Sequence, residues 1–464
     1  MFRGDMMLFQ KLKDEGIITG HCGGKGTCGK CTVRFIKEAP LPASQDRILF
    51  TAAQLREGYR LSCQIKSNNN YPYELPFSDK AEPEIITSKM DSIWNRFLKE
   101  KNEINSIDKE NYNINFVAAV DIGTTTIAME LINASTGEIL GTFCKLNPQK
   151  KYGADVLSRM EASVNGHREE LQELVFGVLE EGLKELEQKE KPDKVVIAGN
   201  TAMCHLLLGF DVSKLAVAPF SPQTLEESKI RILSYEAIVM PQISAFVGGD
   251  IVAGIYGTHM CEEEETTLFI DLGTNGEMAL GNKNHMISTA TAAGPAFEGG
   301  LGGEIIGTDV INLVADLLNE GIVDDTGLMK EPYFENGILR KKILLTQRDI
   351  RNFQMAKAAV YAGIGVLLEE KEITYDQIDR VFLAGGFGYY LNIESAIRVG
   401  LLPEFLKDKT IAAGNTSLLG AFLYGCNDCK KEELAFMNHT RSINLAENAL
   451  FQEEYIKAIN FPVR

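Results

Sequence analysis

The sequence predicts an α/β protein in two bodies: a small cysteine-bearing domain, then a much larger unit of two related lobes. Three observations carry that prediction. Four cysteines fall within the first 63 residues, three of them on one glycine-rich loop, HCGGKGTCGKC. An apolar strand that ends in aspartate and turns through a Gly/Thr hairpin occurs twice, as FVAAVDIGTTTIAMELI (116–132) and LFIDLGTNGEMAL (268–280). Each is followed by another apolar strand that stops in a small-residue turn before a helix, VVIAGNTAM (195–203) and VFLAGGFG (381–388). A pattern repeated in the same order indicates an internal duplication, and 464 residues exceed what one hydrophobic core usually organises.

From the start of the chain, Leu8 to Gly16 reads as a short amphipathic helix, and Thr32–Ile36 and Leu61–Ile65 read as strands. Cys22, Cys28 and Cys31 are separated by five and then two residues, and Cys63 follows after 31 more. Three thiolates from one tight loop and a fourth from a distant strand is an arrangement that holds a two-iron, two-sulfur cluster. The loop must wrap closely around the inorganic core, and Gly23, Gly24, Gly26 and Gly29 give it backbone freedom and let amide groups approach sulfur. A zinc ribbon would need two CxxC pairs about 15–20 residues apart, and this region has one. Ordinary core cysteines would not sit in so polar a loop. His21 precedes the first ligand, but the set of four is complete without it.

Residues 1–77 resemble the CxxxxxCxxC variant of two-iron ferredoxins, which implies a β-grasp domain. Such domains open with a β-hairpin ahead of the helix. A handful of residues precede it here, so either the start codon is misplaced or the sheet is trimmed. Residues 78–115 are polar and charged, with Trp94 and Phe97 in one short helical stretch, and read as a mobile linker.

The duplicated region, residues 116–464 with a second lobe starting near 267, resembles the actin, sugar kinase and heat-shock chaperone superfamily. Its two ribonuclease H-like lobes close over ATP. In each hairpin Gly123 or Gly273 lets backbone N–H groups turn toward phosphate oxygens, together with the side chains of Thr124, Thr125, Thr126, Thr274 and Asn275 and the backbone of Gly276. Asp121 and Asp271 would hold Mg2+ through its waters, because that ion dehydrates reluctantly. The resemblance places Gly385 and Gly386 of AGGFG against the adenosine. It gives Asp250, in VGGDIVAGIYG, the task of orienting the attacking water, while a plain helix cap is the alternative reading of that residue. No GxGxxG follows an early strand and no Walker motif is present.

Taken together, the cysteine loop, DIGTTT, GADVLSRM, IAGNTAM, FVGGD, DLGTNGE, AAGPAFEGG and LAGGFG resemble the reductive activators of corrinoid proteins, whose members join a ferredoxin-type domain to an actin-like ATPase. That resemblance implies an enzyme passing one electron from a low-potential donor to the Co(II) of a corrinoid protein in a methyltransferase system, and it admits a homodimer. An acceptor 100 mV below a plant-type cluster costs about 2.3 kcal/mol per electron, which ATP hydrolysis can supply. Two alternatives share the ATPase half. An activator of a radical dehydratase would carry its cysteines within the ATPase domain, and a small-molecule kinase would have an accessory ferredoxin domain.

The composition is that of an ordinary globular protein, 45% hydrophobic and 24% charged. A net charge of −17 without a long basic block argues against nucleic acid. The most apolar stretch, 238–257, is broken by Pro241, Asp250 and four glycines, which excludes a membrane span there. Nine cysteines with no export signal favour metal ligands or reduced thiols, and so the cytoplasm. His167, His205, His259 and His285 lack ligand spacing, and Cys426/Cys429 form a CxxC that reads as unremarkable thiols.

Overall fold

The computed structural model describes residues 7–14, 26, 31–50, 52–66, 72–75, 114–153, 155–273, 275–291, 307–340, 343–385, 391–426 and 434–463. Most of the linker, together with Cys22, Cys28, Cys429, Thr274 and Gly386, lies outside the described residues.

The N-terminal body contains helix α1 (Leu8–Asp14), strand β1 (Thr32–Phe35), helices α2 (Ser44–Leu49) and α3 (Ala52–Arg56), and strands β2 (Tyr59–Leu61) and β3 (Tyr73–Glu74). Its sheet runs β2-β1-β3, both pairs antiparallel. Leu8, Phe9 and Leu12 face Val33, Phe35, Leu61 and Ile65 in one small core, so the apolar face of α1 closes the sheet. The second expected strand is shorter than its apolar run suggests: after Leu61 the chain tightens into a single turn over Ser62–Gln64. That turn places Cys63 in the same small core as Cys31, and Ser62 N donates to Cys31 O at 2.8 Å.

The larger body holds two six-stranded sheets. The first comprises β4 (Phe116–Ile122), β5 (Thr126–Asn133), β6 (Ile139–Leu146), β7 (Lys194–Gly199), β8 (Ser228–Ile232) and β9 (Tyr235–Val239), in the order β6-β5-β4-β7-β9-β8. The second comprises β10 (Thr267–Leu272), β11 (Gly276–Gly281), β12 (Met286–Thr291), β15 (Arg380–Ala384), β16 (Thr410–Gly414) and β17 (Thr440–Ile443), in the order β16-β15-β10-β11-β12-β17. A separate hairpin, β13 (Ile338–Arg340) with β14 (Ile343–Leu345), stands outside both.

Pairing sense establishes the duplication. From the edge inward β6/β5 and β5/β4 are antiparallel, then β4/β7 and β7/β9 are parallel. The second lobe repeats that series as β12/β11, β11/β10, β10/β15 and β15/β16. Among the described residues the two sheets differ in the sixth strand: β8 runs antiparallel beside β9, whereas β17 runs parallel beside β12 on the opposite edge.

Side chains alternate across β4. Ala118 and Val120 enter the outer core with helix α5 (Arg168–Leu186), and Val117 and Ala119 enter the core shared by the two lobes. That shared core is organised by helices α7 (Gly249–Gly257) and α11 (Thr416–Cys426), the first trailing the first sheet and the second trailing the other. They touch through glycine. A β-carbon on Gly420 would lie 1.9 Å from Ala253 O, and one on Gly254 would lie 2.3 Å from the Phe269 ring. Gly425 lies against Val117 and Val196, so α11 leaves its own lobe to pack on the first sheet. The shorter helices α4 (Val156–Ala162) and α6 (Thr201–Leu207) cover the first lobe. In the second, α8 (Gly307–Asn319), α9 (Gln347–Lys371), α10 (Ile393–Arg398) and α12 (Ala449–Ala458) surround the other sheet. The long α9 buries one face in that lobe's core, as its apolar periodicity suggests.

Candidate nucleotide and cluster sites

The first hairpin, between β4 and β5, closes through Gly123 N donating to Thr126 O at 2.9 Å. Its carbonyls are then taken from below. Asn147 Nδ2 donates to Gly123 O at 2.9 Å, Arg159 Nη2 to Thr124 O at 2.5 Å, and Asn147 N to Thr125 O at 2.8 Å. In a trans peptide the N–H points away from the C=O, so these bonds turn the amides of Thr124, Thr125 and Thr126 the other way, the polarity an anion requires. Asn200 Nδ2 donates to Thr124 Oγ1 at 3.2 Å and holds that side chain.

The second hairpin is similarly tight, with Gly273 N donating to Asn275 O at 3.0 Å and Thr291 Oγ1 donating to Gly276 O at 3.2 Å. Its register sets Asp271 directly opposite Glu277. Gly385, at φ +87°, follows β15, and a β-carbon there would fall 2.4 Å from Asp271 Oδ1 and 2.6 Å from Leu272 O. The space left by this glycine therefore belongs to the Asp271 carboxylate.

Asp121 is the penultimate residue of β4, and Asp250 sits in the first turn of α7. Gly248 brings that turn onto the start of α6, since a β-carbon on it would lie 2.4 Å from Asn200 Cα. The result is a group of mutually repelling acids. Burial pushes the Asp121 carboxyl up to about 6, partly offset by a hydrogen bond from Asn415. Burial and then the charge of Asp121 push Asp250 up to about 7. Burial followed by Asp250, Asp271 and Asp121 holds Glu277 well above the usual carboxylate range. Asp250 Oδ1 also accepts from Ile251 N at 2.8 Å, so the residue serves the helix terminus as well as facing the other acids.

Such a group fits a divalent cation, which would relieve the repulsion that burial amplifies. Among the described residues no three His, Cys, Asp or Glu side chains converge closely enough to ligate one metal ion directly.

In the N-terminal body Cys31 and Cys63 are both buried, 2% and 6% exposed, within the small core. Gln64 Nε2 donates to Cys63 Sγ at 3.4 Å, the kind of N–H···S contact that stabilises a thiolate. Gly26, at φ +75°, packs on that glutamine, and a β-carbon there would lie 2.8 Å from Gln64 Nε2. Gly26 thus lies against the Cys63 turn, and the residues present fit a sulfur-bridged iron centre.

Sequence reasoning singled out Asp121, Asp250 and Asp271 and missed Glu277, Asn415, Arg159 and Asn147. Glu277 could have been found by register alone, because a hairpin that pairs Leu272 with Gly276 must place 277 opposite 271. His205 is a satisfied core residue, its Nδ1 paired with Thr201 O and its Nε2 accepting from Gln223 N.

Three family models match the chain: "2Fe-2S iron-sulfur cluster binding domain" over residues 3–68, "RACo middle region" over 116–263, and "C-terminal domain of RACo the ASKHA domain" over 265–303 and 301–464. The corrinoid activation enzyme RamQ of Eubacterium limosum is 26% identical across 94% of this chain and 92% of its own length. The chain belongs to the reductive activators of corrinoid proteins. A [Co(II) methylated amine-specific corrinoid protein] reductase of Methanosarcina barkeri is 24% identical across 65% of this chain and 68% of its own. The solved structure of a reductive activator for corrinoid, iron-sulfur protein superposes with a TM-score of 0.68 at 26% identity, covering 100% of this chain and 96% of the other. The fold is thus that of a ferredoxin-type domain joined to an actin-like unit.

Proposed function

We propose that this chain catalyses the ATP-dependent, one-electron reduction of a corrinoid protein, returning its cobalt from Co(II) to Co(I) with an electron from a low-potential donor. The observation that carries the reading is end-to-end similarity to a corrinoid activation enzyme in a chain that pairs a 2Fe-2S domain with a duplicated hairpin and acid site. In this reading residues 1–77 form the redox domain, 78–115 a linker and 116–464 the ATPase, and the protein works in the cytoplasm. Among the described residues no helix is long and apolar enough to cross a membrane.

Cys22, Cys28, Cys31 and Cys63 would hold the two-iron cluster, which supplies one-electron redox chemistry when bound. Gln64 donates to the Cys63 sulfur and so favours its thiolate form. In the larger body the amides of Thr124, Thr125 and Thr126, with Thr274, Asn275 and the backbone of Gly276, would receive the phosphates of ATP, and Gly123 and Gly273 would shape the two turns. Asp121 and Asp271 would hold Mg2+ by way of its waters, Gly385 and Gly386 would border the nucleoside, and Asp250 would accept a hydrogen bond from the attacking water. Closure of two lobes joined through α7 and α11 converts nucleotide occupancy into movement of one lobe on the other.

The test mixes anaerobically reconstituted protein with a Co(II) corrinoid protein, titanium(III) and Mg2+·ATP, and follows the absorbance of Co(I). Formation of Co(I) should require the nucleotide. It should be lost in Cys28→Ser and fall to an ATP-independent trickle in Asp271→Ala. Equal rates with and without ATP would overturn the proposal.

A further inference from the structure

The tetrapeptide AGNT occurs twice in the chain, at 198–201 and at 413–416. In both places it ends a parallel strand and begins a helix: β7 into α6 in one lobe, β16 into α11 in the other. The two asparagines do the same local work. Asn200 Oδ1 accepts from Met203 N at 2.9 Å, and Asn415 Oδ1 accepts from Leu418 N at 2.9 Å. With the oxygen committed to the helix terminus, each amide nitrogen must face outward. Both nitrogens reach the first hairpin. Asn200 Nδ2 donates to Thr124 Oγ1 at 3.2 Å, and Asn415 Nδ2 donates to Asp121 Oδ2 at 2.9 Å.

The equivalence ends there. Asn200 belongs to the same lobe as the hairpin it holds, whereas Asn415 crosses from the other lobe, 294 residues away in sequence. Duplication supplied two copies of a helix-capping asparagine, and the second grips the opposite lobe's acid.

We propose that Asn415 is the positioning residue for Asp121, and that it carries the mutual orientation of the lobes into the Mg2+ site. Its amide engages one carboxylate oxygen, Oδ2, and so fixes the orientation in which the acid meets the waters of the ion. The inference rests on the nucleotide-site reading above. Because Asn415 also starts α11, which packs by glycine contact on α7, a rotation of one lobe shifts the donor relative to its acceptor. Outer partners of metal-holding carboxylates typically change metal affinity or activity by about 10–100-fold when removed.

The test separates capping from positioning. Asn415→Ser keeps a residue that caps helices well but is too short to reach Asp121. Asn415→Asp keeps shape and cap but sets an acceptor against an acceptor. Mg2+ is titrated calorimetrically into protein saturated with ADP, alongside thermal melts without nucleotide and Mg2+-free ADP titrations. The expected result is Mg2+ affinity weakened about tenfold in Asn415→Ser and more in Asn415→Asp, with Mg2+-free ADP affinity and melting temperature of Asn415→Ser unchanged. Wild-type Mg2+ affinity in both variants overturns the proposal, as does a loss of Mg2+ affinity that only accompanies a lowered melting temperature in both. Failure of the wild-type protein itself to bind Mg2+·ADP would instead remove the nucleotide-site reading.

Discussion

Substituting Asp250 by Asn tests whether the gathered acids are held together against their own repulsion. Asn keeps the oxygen that accepts from Ile251 N and removes only the charge. The folded state holds the Asp250 carboxyl near 7 instead of the 3.8 of the free side chain. A folded pKa above the unfolded one means that the native state prefers the proton. The penalty is therefore absent below pH 3.8, grows as the pH rises to about 7, and is complete above it. At about 1.36 kcal/mol per pH unit the full gap is worth about 4 kcal/mol. Since Asp250 is partly open to solvent and shares its repulsion with Asp121, about 2–4 kcal/mol is the working figure.

The nucleotide-free Asp250→Asn protein should then be more stable than wild type at pH 8 by that amount. At about 2.1 cal/mol/K per residue over roughly 350 residues, the melting temperature of the larger body rises by about 3–5 °C. The gain should shrink to about 1 kcal/mol or less at pH 4.5. Melts at both pH values on nucleotide-free protein make the measurement. A variant that melts at or below wild type at pH 8, or gains equally at both pH values, would refute the acid-repulsion account.

Two further outcomes follow from packing and from the hairpin's underside. Gly420→Ala pushes a methyl group to within 1.9 Å of Ala253 O, a backbone atom that cannot swing aside, so the shared core should lose about 3 kcal/mol or more in chemical denaturation. Arg159→Met keeps much of a buried side chain's volume but leaves the Thr124 and Gly153 carbonyls without these donors. Calorimetry should show ATP affinity falling about tenfold or more, the cost of a hairpin whose amides are no longer held outward.

Legibility followed sequence distance. The helices and strands around DIGTTT and DLGTNGE could be read from short-range patterns because a strand needs only alternating or continuous apolar residues and a hairpin needs only its glycine. The Leu61–Ile65 run misled for the same reason. Apolar character predicts burial, and Ser62, Cys63 and Ile65 are buried, yet the backbone there turns rather than extends. Gly385 was legible as a place where something approaches closely, but not as the place where Asp271 does.

By itself the sequence determined two bodies, a duplication and the acids that end its strands, because each is written in local periodicity and in a repeated motif. Tertiary structure alone decided what those acids face. Glu277 is brought opposite Asp271 by register, Arg159 lies beneath Thr124 because α4 folds back under the hairpin, and Asn415 meets Asp121 because α11 crosses between lobes on a seam of glycines. Contacts between residues hundreds of positions apart leave no local periodicity to read, and they arise only when the shared core forms.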